Sequence, residues 1–491
     1  MSLGKYFLGS VAVGALLMTG VPAHAQSAVD SAVRSMRQQI KDLQERLQYL
    51  QTQINQTQQN QAQTQRTVER IKAAPPAPAL AGEPFLKMHG ISPTFSTPDG
   101  AFTMSITGRL HLDMGDYVNY SKKSASTTPN NFNGGVKARR ARLGVTGKID
   151  KVFGYTFIMD FGGSTTDNGS TIENGFVTYN GAAPFHFIAG YQDTPYSLDE
   201  ATSSNDIMFL ERASSQAIAT GIAANDNRSA IGAWWNNDRA WVGVFGTGPA
   251  SGTNYTTTSA QLGMTGRATY QIVQTPEDTF HVGIDGEELF KPAQTSGGAR
   301  TLTLADSPEL RIDNTQILKA TVGTSANPVK GASVIGGEVA GNLGPLYAQG
   351  EYFHIMVDRQ GQSGVSFNGG YVEASYALTG EIKKYNAGSG AYHSISPAHP
   401  FSPSSGGWGA WEIAARYSVM DLNDQLGSAT GIAGGKQTTY TFGINWYPSS
   451  NLRFMLDYIH ANIDKQSAPS GTTTNVGASM DAIAIREQFN F

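Results

Sequence analysis

The sequence contains no cysteine, which excludes disulfide scaffolds, thiolate zinc sites, iron–sulfur clusters and cysteine nucleophiles. Charge is scarce too. Only 15% of residues are charged, against roughly 25% in a typical soluble protein. No apolar run approaches the ~18 residues that a membrane-crossing helix needs. Basic residues are not in excess, and a net charge of −4 argues against a globally basic nucleic-acid binder. The hydrolase, zinc-protease and dinucleotide motifs G-x-S-x-G, H-E-x-x-H and G-x-G-x-x-G are missing. We therefore expect no catalytic residue, no metal ligand set and no cofactor: not an enzyme. Glycine, at 56 of 491 residues, and the aromatics (22 Phe, 20 Tyr, 6 Trp) are abundant instead.

Residues 1–25 have the form of a signal peptide. Lys5 gives a positive start, Tyr6–Met18 an apolar core, and Ala23-His24-Ala25 a small-x-small cleavage site, so export is expected. From Val29 the apolar residues fall at 29, 33, 36, 40, 43, 47, 50 and 54, a 4-3 spacing that predicts a coiled coil over 26–72. Thr57, Gln61 and Thr64 interrupt the seam with polar residues before Val68 and Ile71. Such a helix should pair with copies of itself. Its core residues lean towards a dimer without fixing the number. The Pro/Ala-rich stretch 73–84 reads as a stiff linker to the remaining domain, 85–491.

Beyond residue 85 the helical period gives way to strict alternation. In Phe102–Met114 the even positions are apolar or glycine, while the odd ones carry Arg109, His111 and Asp113. Leu143 and Val145 oppose Arg140, Arg142 and Lys148. Ile413 and Tyr417 oppose Glu412 and Arg416, and Leu456 and Tyr458 oppose Arg453 and Asp457. A soluble sandwich alternates as well. Aromatics at the apolar ends of strands, short turns (447–451, 147–154) alternating with long polar spacers (121–135, 423–435), and the terminal Phe491 favour an antiparallel transmembrane β-barrel. Phe491 is the expected signal to the barrel-assembly machinery. An open sheet edge in lipid would strand unpaired backbone groups, so the barrel must close. Chain length fits sixteen or eighteen strands, either of which encloses an aqueous lumen.

Five stretches carry a resemblance: Arg139–Gly147; Thr194–Glu200 with Phe209-Leu210-Glu211-Arg212; Gly370-Tyr371 with Tyr376–Glu381; Ala415–Leu422 with Gly443–Tyr447; and Arg486-x-Gln488 before the terminal Phe. In this order they resemble the phosphate-selective porin O and P family. The resemblance implies sixteen strands, a trimer, and an infolded loop that narrows the pore, here expected near 193–220. Asp193 stands where the family pattern carries Lys, and it joins Glu211 and Arg212 as constriction-loop candidates. Arg109, Arg140, Arg142, Lys148, Arg416 and Arg453 form a possible basic track for anions. The competing reading pairs these arginines with Asp113, Asp160, Glu412 and Asp457 in structural ladders. Beyond residue 82 acidic residues outnumber basic ones. The expected function is passive diffusion of small hydrophilic solutes, anions or phosphate among them, through the outer membrane. The alternative is an envelope anchor whose periplasmic coiled coil reaches peptidoglycan. Expected partners are copies of the chain, outer-membrane lipid and lipopolysaccharide, with no nucleic acid.

Overall fold

The computed structural model describes residues 38–59, 61, 84–163, 170–225, 227–253, 255, 258–295 and 297–491. The expected signal peptide, the ends of the coiled-coil segment and the linker up to residue 83 lie outside the described residues. Two compact units divide at residue 81. In the first, residues 38–59 form a helix, α1. Its heptad residues Ile40, Leu43, Leu47, Leu50 and Ile54 are all exposed, forming one uncovered apolar stripe.

The second unit is a closed antiparallel barrel of sixteen strands. They are β1 Thr103–Lys122, β2 Gly135–Ile149, β3 Phe153–Asp160, β4 Thr171–Ala182, β5 Phe185–Gln192, β6 Arg228–Asn236, β7 Ala240–Ala250 and β8 Leu262–Gln274. There follow β9 Asp278–Lys291, β10 Val329–Leu343, β11 Leu346–Arg359, β12 Val365–Ala377, β13 Ala410–Asp424, β14 Ile432–Ser449, β15 Leu452–Asp464 and β16 Ala478–Asn490. Each pairs with its chain neighbour, and β16 closes on β1 with Arg486 opposite Asp113. A hairpin, Phe85–His89 with Ser92–Ser96, extends the sheet beside the start of β1.

The faces are inverted relative to a soluble sheet. Along β13, Glu412, Arg416 and Ser418 are buried while Ile413 and Tyr417 are exposed. On β9 Ile284 is 69% exposed, beside a buried Asp285. Leaving such side chains in water forfeits about 1.5–3 kcal/mol each, so the outer surface is built for hydrocarbon. At the end of the barrel that carries its own termini, where β1 starts and β16 stops, Trp411, Trp446 and Phe454 stack at 5.6 and 5.5 Å, with Phe401 edge-on to Trp446 at 5.4 Å. This is the aromatic belt that an interface requires.

Most connections are short. The spacer read as 423–435 is shorter than expected, because β13 runs to Asp424 and β14 starts at Ile432. Three connections are long, and all three carry buried residues. Segment 193–227 contains the single turn Leu198–Ala201 (α2) and the helix Ser214–Thr220 (α3), with Tyr196, Leu198 and Leu210 fully buried. Segment 292–328 carries a hairpin, Leu302–Ala305 with Lys319–Val322, that packs with α3 residues in one apolar cluster. Segment 378–409 connects β12 to β13 at the end of the barrel where the termini lie.

Candidate functional site

A loop folded into a barrel brings backbone carbonyls that no ladder satisfies, so the wall must supply buried donors. Arginine is suited to this because its planar head carries five N–H groups. Arg453 donates to the carbonyls of Ile207 at 2.8 Å and of Asn205 and Met208, both at 3.3 Å. Arg486 donates to Leu210 O at 2.6 Å, and Arg416 to Glu211 O at 2.8 Å. Asp457 accepts from Leu210 N at 2.8 Å, and Asn445 donates to Met208 O at 3.0 Å. The clamps are neutralised in place: Arg486 by Asp113 at 2.6 and 2.7 Å, Arg416 by Glu309 at 2.6 Å. Arg416 and Arg453, expected in an anion track, thus hold the loop and line neither lumenal cavity described below. The expected ladder pairings hold only in part. Arg142 does meet Asp160, at 2.7 Å, but Asp113 meets Arg486, and Glu412 meets Lys383 of segment 378–409 at 2.9 Å.

Among the described residues, two cavities of several hundred Å³ lie in the lumen. One, of about 400 Å³, opens towards the termini past Arg109, Asn490 and Phe491. The other, of about 550 Å³, is lined by Arg139, Arg311, Asp160, Glu173 and Glu211. Four charged residues line both: Arg140, Arg142, Glu200 and Arg212. They therefore stand between the two cavities. Arg142 is neutralised by Asp160 and Glu173. Arg212 donates to the carbonyls of Asp199 and Thr202, both at 2.9 Å, with the carboxylates of Asp199 and Glu200 at 3.9 and 3.8 Å. Arg140 differs: it is 2% exposed, yet its Nε and Nη1 have no hydrogen-bond partner. Buried donors are nearly always satisfied, so an orphan pair on a residue that lines both cavities needs a reason. Just beyond the constriction, Glu211 accepts from Arg139 at 2.6 and 3.1 Å, with Arg311 at 3.5 Å. Burial alone would raise its pKa, but Arg139, Arg140, Arg311 and Arg486 hold it well below the usual carboxylate range.

The other expected residues are scattered. Arg109 donates to Ser203 Oγ at 3.1 Å and to Ser204 Oγ on the termini side of the constriction. Asp193 lines the same cavity and accepts from Asn227 N at 3.2 Å. Lys148 is exposed at the end of β2 and lines neither cavity. Phe491 exchanges backbone bonds of 2.9 and 3.0 Å with Gly108, extending the closing seam. Sequence reasoning missed Glu200 and Arg311 as site residues. Arg311 lies in a segment with no periodicity, so no signal could have found it. Glu200 stood inside a quoted motif. Also unforeseen is the inward course of segment 378–409: Asp206 of the constriction loop accepts from Ser394 N at 3.0 Å and Oγ at 2.8 Å, and lies 3.1 Å from His393 Nδ1.

Comparison with known proteins agrees with this architecture. Residues 104–491 match the family model of the phosphate-selective porins O and P. Porin O of Pseudomonas aeruginosa is 26% identical over 416 residues, 81% of this chain and 90% of that protein. An uncharacterized protein of Caulobacter vibrioides is 26% identical over 400 residues, 79% of this chain and 74% of the other. Among solved structures, the anion-selective porin from Comamonas acidovorans superposes with a TM-score of 0.47 at 13% identity, covering 79% of this chain and all of that one. The family match spans nearly the whole barrel, and the chain therefore belongs to the phosphate-selective porin O and P family as a porin of the outer membrane.

Proposed function

We propose that this porin passes small anions in preference to cations, with Arg140 as the residue an anion meets at the narrowest point. The orphan Nε and Nη1 of Arg140 carry the reading, because an anion supplies the missing acceptor. The wider lining supports it. Arg109, Arg140, Arg142 and Arg212 face only Asp193 and Glu200 in the termini-side cavity. In the other, five arginines face Asp160, Glu173, Glu200 and Glu211. Charge rings at close quarters set ion preference. Solutes pass by diffusion alone, with no bond broken or formed.

The exposed stripe of α1 supports self-association of 26–72 as a periplasmic coiled coil. Three copies match the trimer that the family resemblance implies. Phe491 serves as the barrel-assembly signal, while lipid and lipopolysaccharide surround the outer face. A pure envelope anchor bound to peptidoglycan is the weaker reading, since a lumen lined by charge serves no anchoring role. Single-channel recording of the purified protein separates the two, because an anchor with a plugged barrel does not conduct. The double variant Arg140→Glu/Arg142→Glu should lower the anion/cation permeability ratio. An unchanged reversal potential under a salt gradient contradicts the assignment.

A further inference from the structure

Three adjacent strands each turn a carboxylate inward at one place: Asp285 on β9, Glu338 on β10 and Glu351 on β11. Their oxygens lie within 4.8 Å of one another, and all three residues are buried. Glu338 and Glu351 stand directly opposite in register, where like charges repel. Glycines make the room. A Cβ at Gly336 would collide with Asp285 Oδ1, and one at Gly283 with the carboxylate of Glu338.

Counter-charge is insufficient. Arg267 bonds Glu338 at 2.7, 3.0 and 3.1 Å and spends its other donors on the carbonyls of Ser389 and Gly390. His281 Nε2 is 2.7 Å from Glu338, with its Nδ1 3.0 Å from the Tyr385 hydroxyl. Glu351 accepts from Leu198 N at 2.7 Å, Asp199 N at 3.3 Å and the Tyr371 hydroxyl at 2.7 Å. Asp285, 7% exposed, has no hydrogen-bond partner at either oxygen. From the infolded loop, the fully buried hydroxyl of Tyr196 approaches Asp285 without a hydrogen bond of normal geometry and also sits beside Glu287 and Glu351. Three carboxylates thus face one guanidinium and one imidazole, and two side chains without well-formed hydrogen bonds, Asp285 and Tyr196, converge on the same point.

We infer that Asp285, Glu338 and Glu351 bind one divalent cation of calcium size, with the Tyr196 hydroxyl as a neutral oxygen beside it. Hard cations take oxygen ligands, and oxygens within 4.8 Å of one another on three different strands suit the flexible coordination of calcium at 2.3–2.6 Å better than the strict octahedron of magnesium. The ion balances the carboxylates that Arg267 does not pair. It also ties β9, β10 and β11 to the loop at α2, whose first N–H groups Glu351 already accepts. The site stands independently of the ion preference of the pore, because metal content is read without any current.

The test uses the full chain refolded in detergent without lipopolysaccharide, stripped with chelator and dialysed against micromolar calcium chloride. Elemental analysis should find about one calcium per chain. Terbium alone should give luminescence sensitised by buried tyrosine, displaced by calcium and not by equal magnesium. Asp285→Asn should weaken calcium binding at least a hundredfold while keeping the heat-resistant migration of a folded barrel. Binding unchanged in Asp285→Asn overturns the site. So does a folded wild-type barrel with no stoichiometric calcium at millimolar concentration, and that result decides alone if the variant does not assemble.

Discussion

Replacing Arg453 by methionine isolates the cost of seating the constriction loop. Methionine keeps an apolar stem against Tyr447, whose ring lies 4.8 Å from the guanidinium, and removes only the donors. The bond to Ile207 O is short at 2.8 Å, and those to Asn205 O and Met208 O are long at 3.3 Å. A hydrogen bond from a charged group contributes about 1.5–3 kcal/mol. One full bond and two partial ones therefore add to roughly 3–5 kcal/mol. At 1.4 kcal/mol per tenfold, release of residues 205–208 from the wall becomes more frequent by a factor of at least about 100. Arg486, Arg416 and Asp457 still hold residues 210 and 211, so the loop loosens without leaving. Single-channel records of Arg453→Met should show current flicker absent from the wild type, while the heat-resistant gel migration of the barrel persists. A quiet channel of unchanged conductance would refute the clamp assignment.

Asp113→Asn should lower the temperature at which the barrel loses its compact migration, since breaking a buried pair costs about 3–5 kcal/mol and Arg486 is fully buried beside it. The contact of His393 with Asp206 should depend on pH. The hydrogen bond that His393 donates to Asp206 raises the imidazole pKa, so its contribution is full below about 6.5 and lost as pH rises through the elevated value. Burial would raise Asp206, but bonds from His393 and Ser394 lower it. Its contribution is therefore full above about 3.9 and lost as pH falls through the depressed value. The protection factor of Ser394 N, its exchange taken relative to the intrinsic rate at each pH, should thus be highest between about pH 4 and 6.5, and His393→Ala should abolish the upper limb. Deleting 26–72 should leave a folded barrel, because the strands close on one another. Loss of heat-resistant migration would contradict this.

The barrel was legible because its signal is local: every second side chain must face lipid, and no tertiary context changes that parity. Ile413, Tyr417, Leu143 and Phe442 all face outward as the alternation required. Lumenal roles were less legible. Arg140, Arg142, Arg416 and Arg453 share one face and look alike in sequence. What separates them is whether a loop backbone or open space lies opposite, and that depends on how 193–227 folds. The cation cluster was invisible for a related reason, since Asp285, Glu338 and Glu351 lie far apart in the chain and meet only through register. Acidic surplus in the whole barrel was a poor guide to the lumen, because position and not composition sets the field at a constriction.

The most direct measurement is the zero-current potential of the wild-type protein in a planar bilayer under a tenfold potassium chloride gradient. An anion-preferring constriction built on Arg140 predicts discrete openings whose reversal potential has the sign for chloride. A potential of the opposite sign, or a membrane that never conducts, would contradict it.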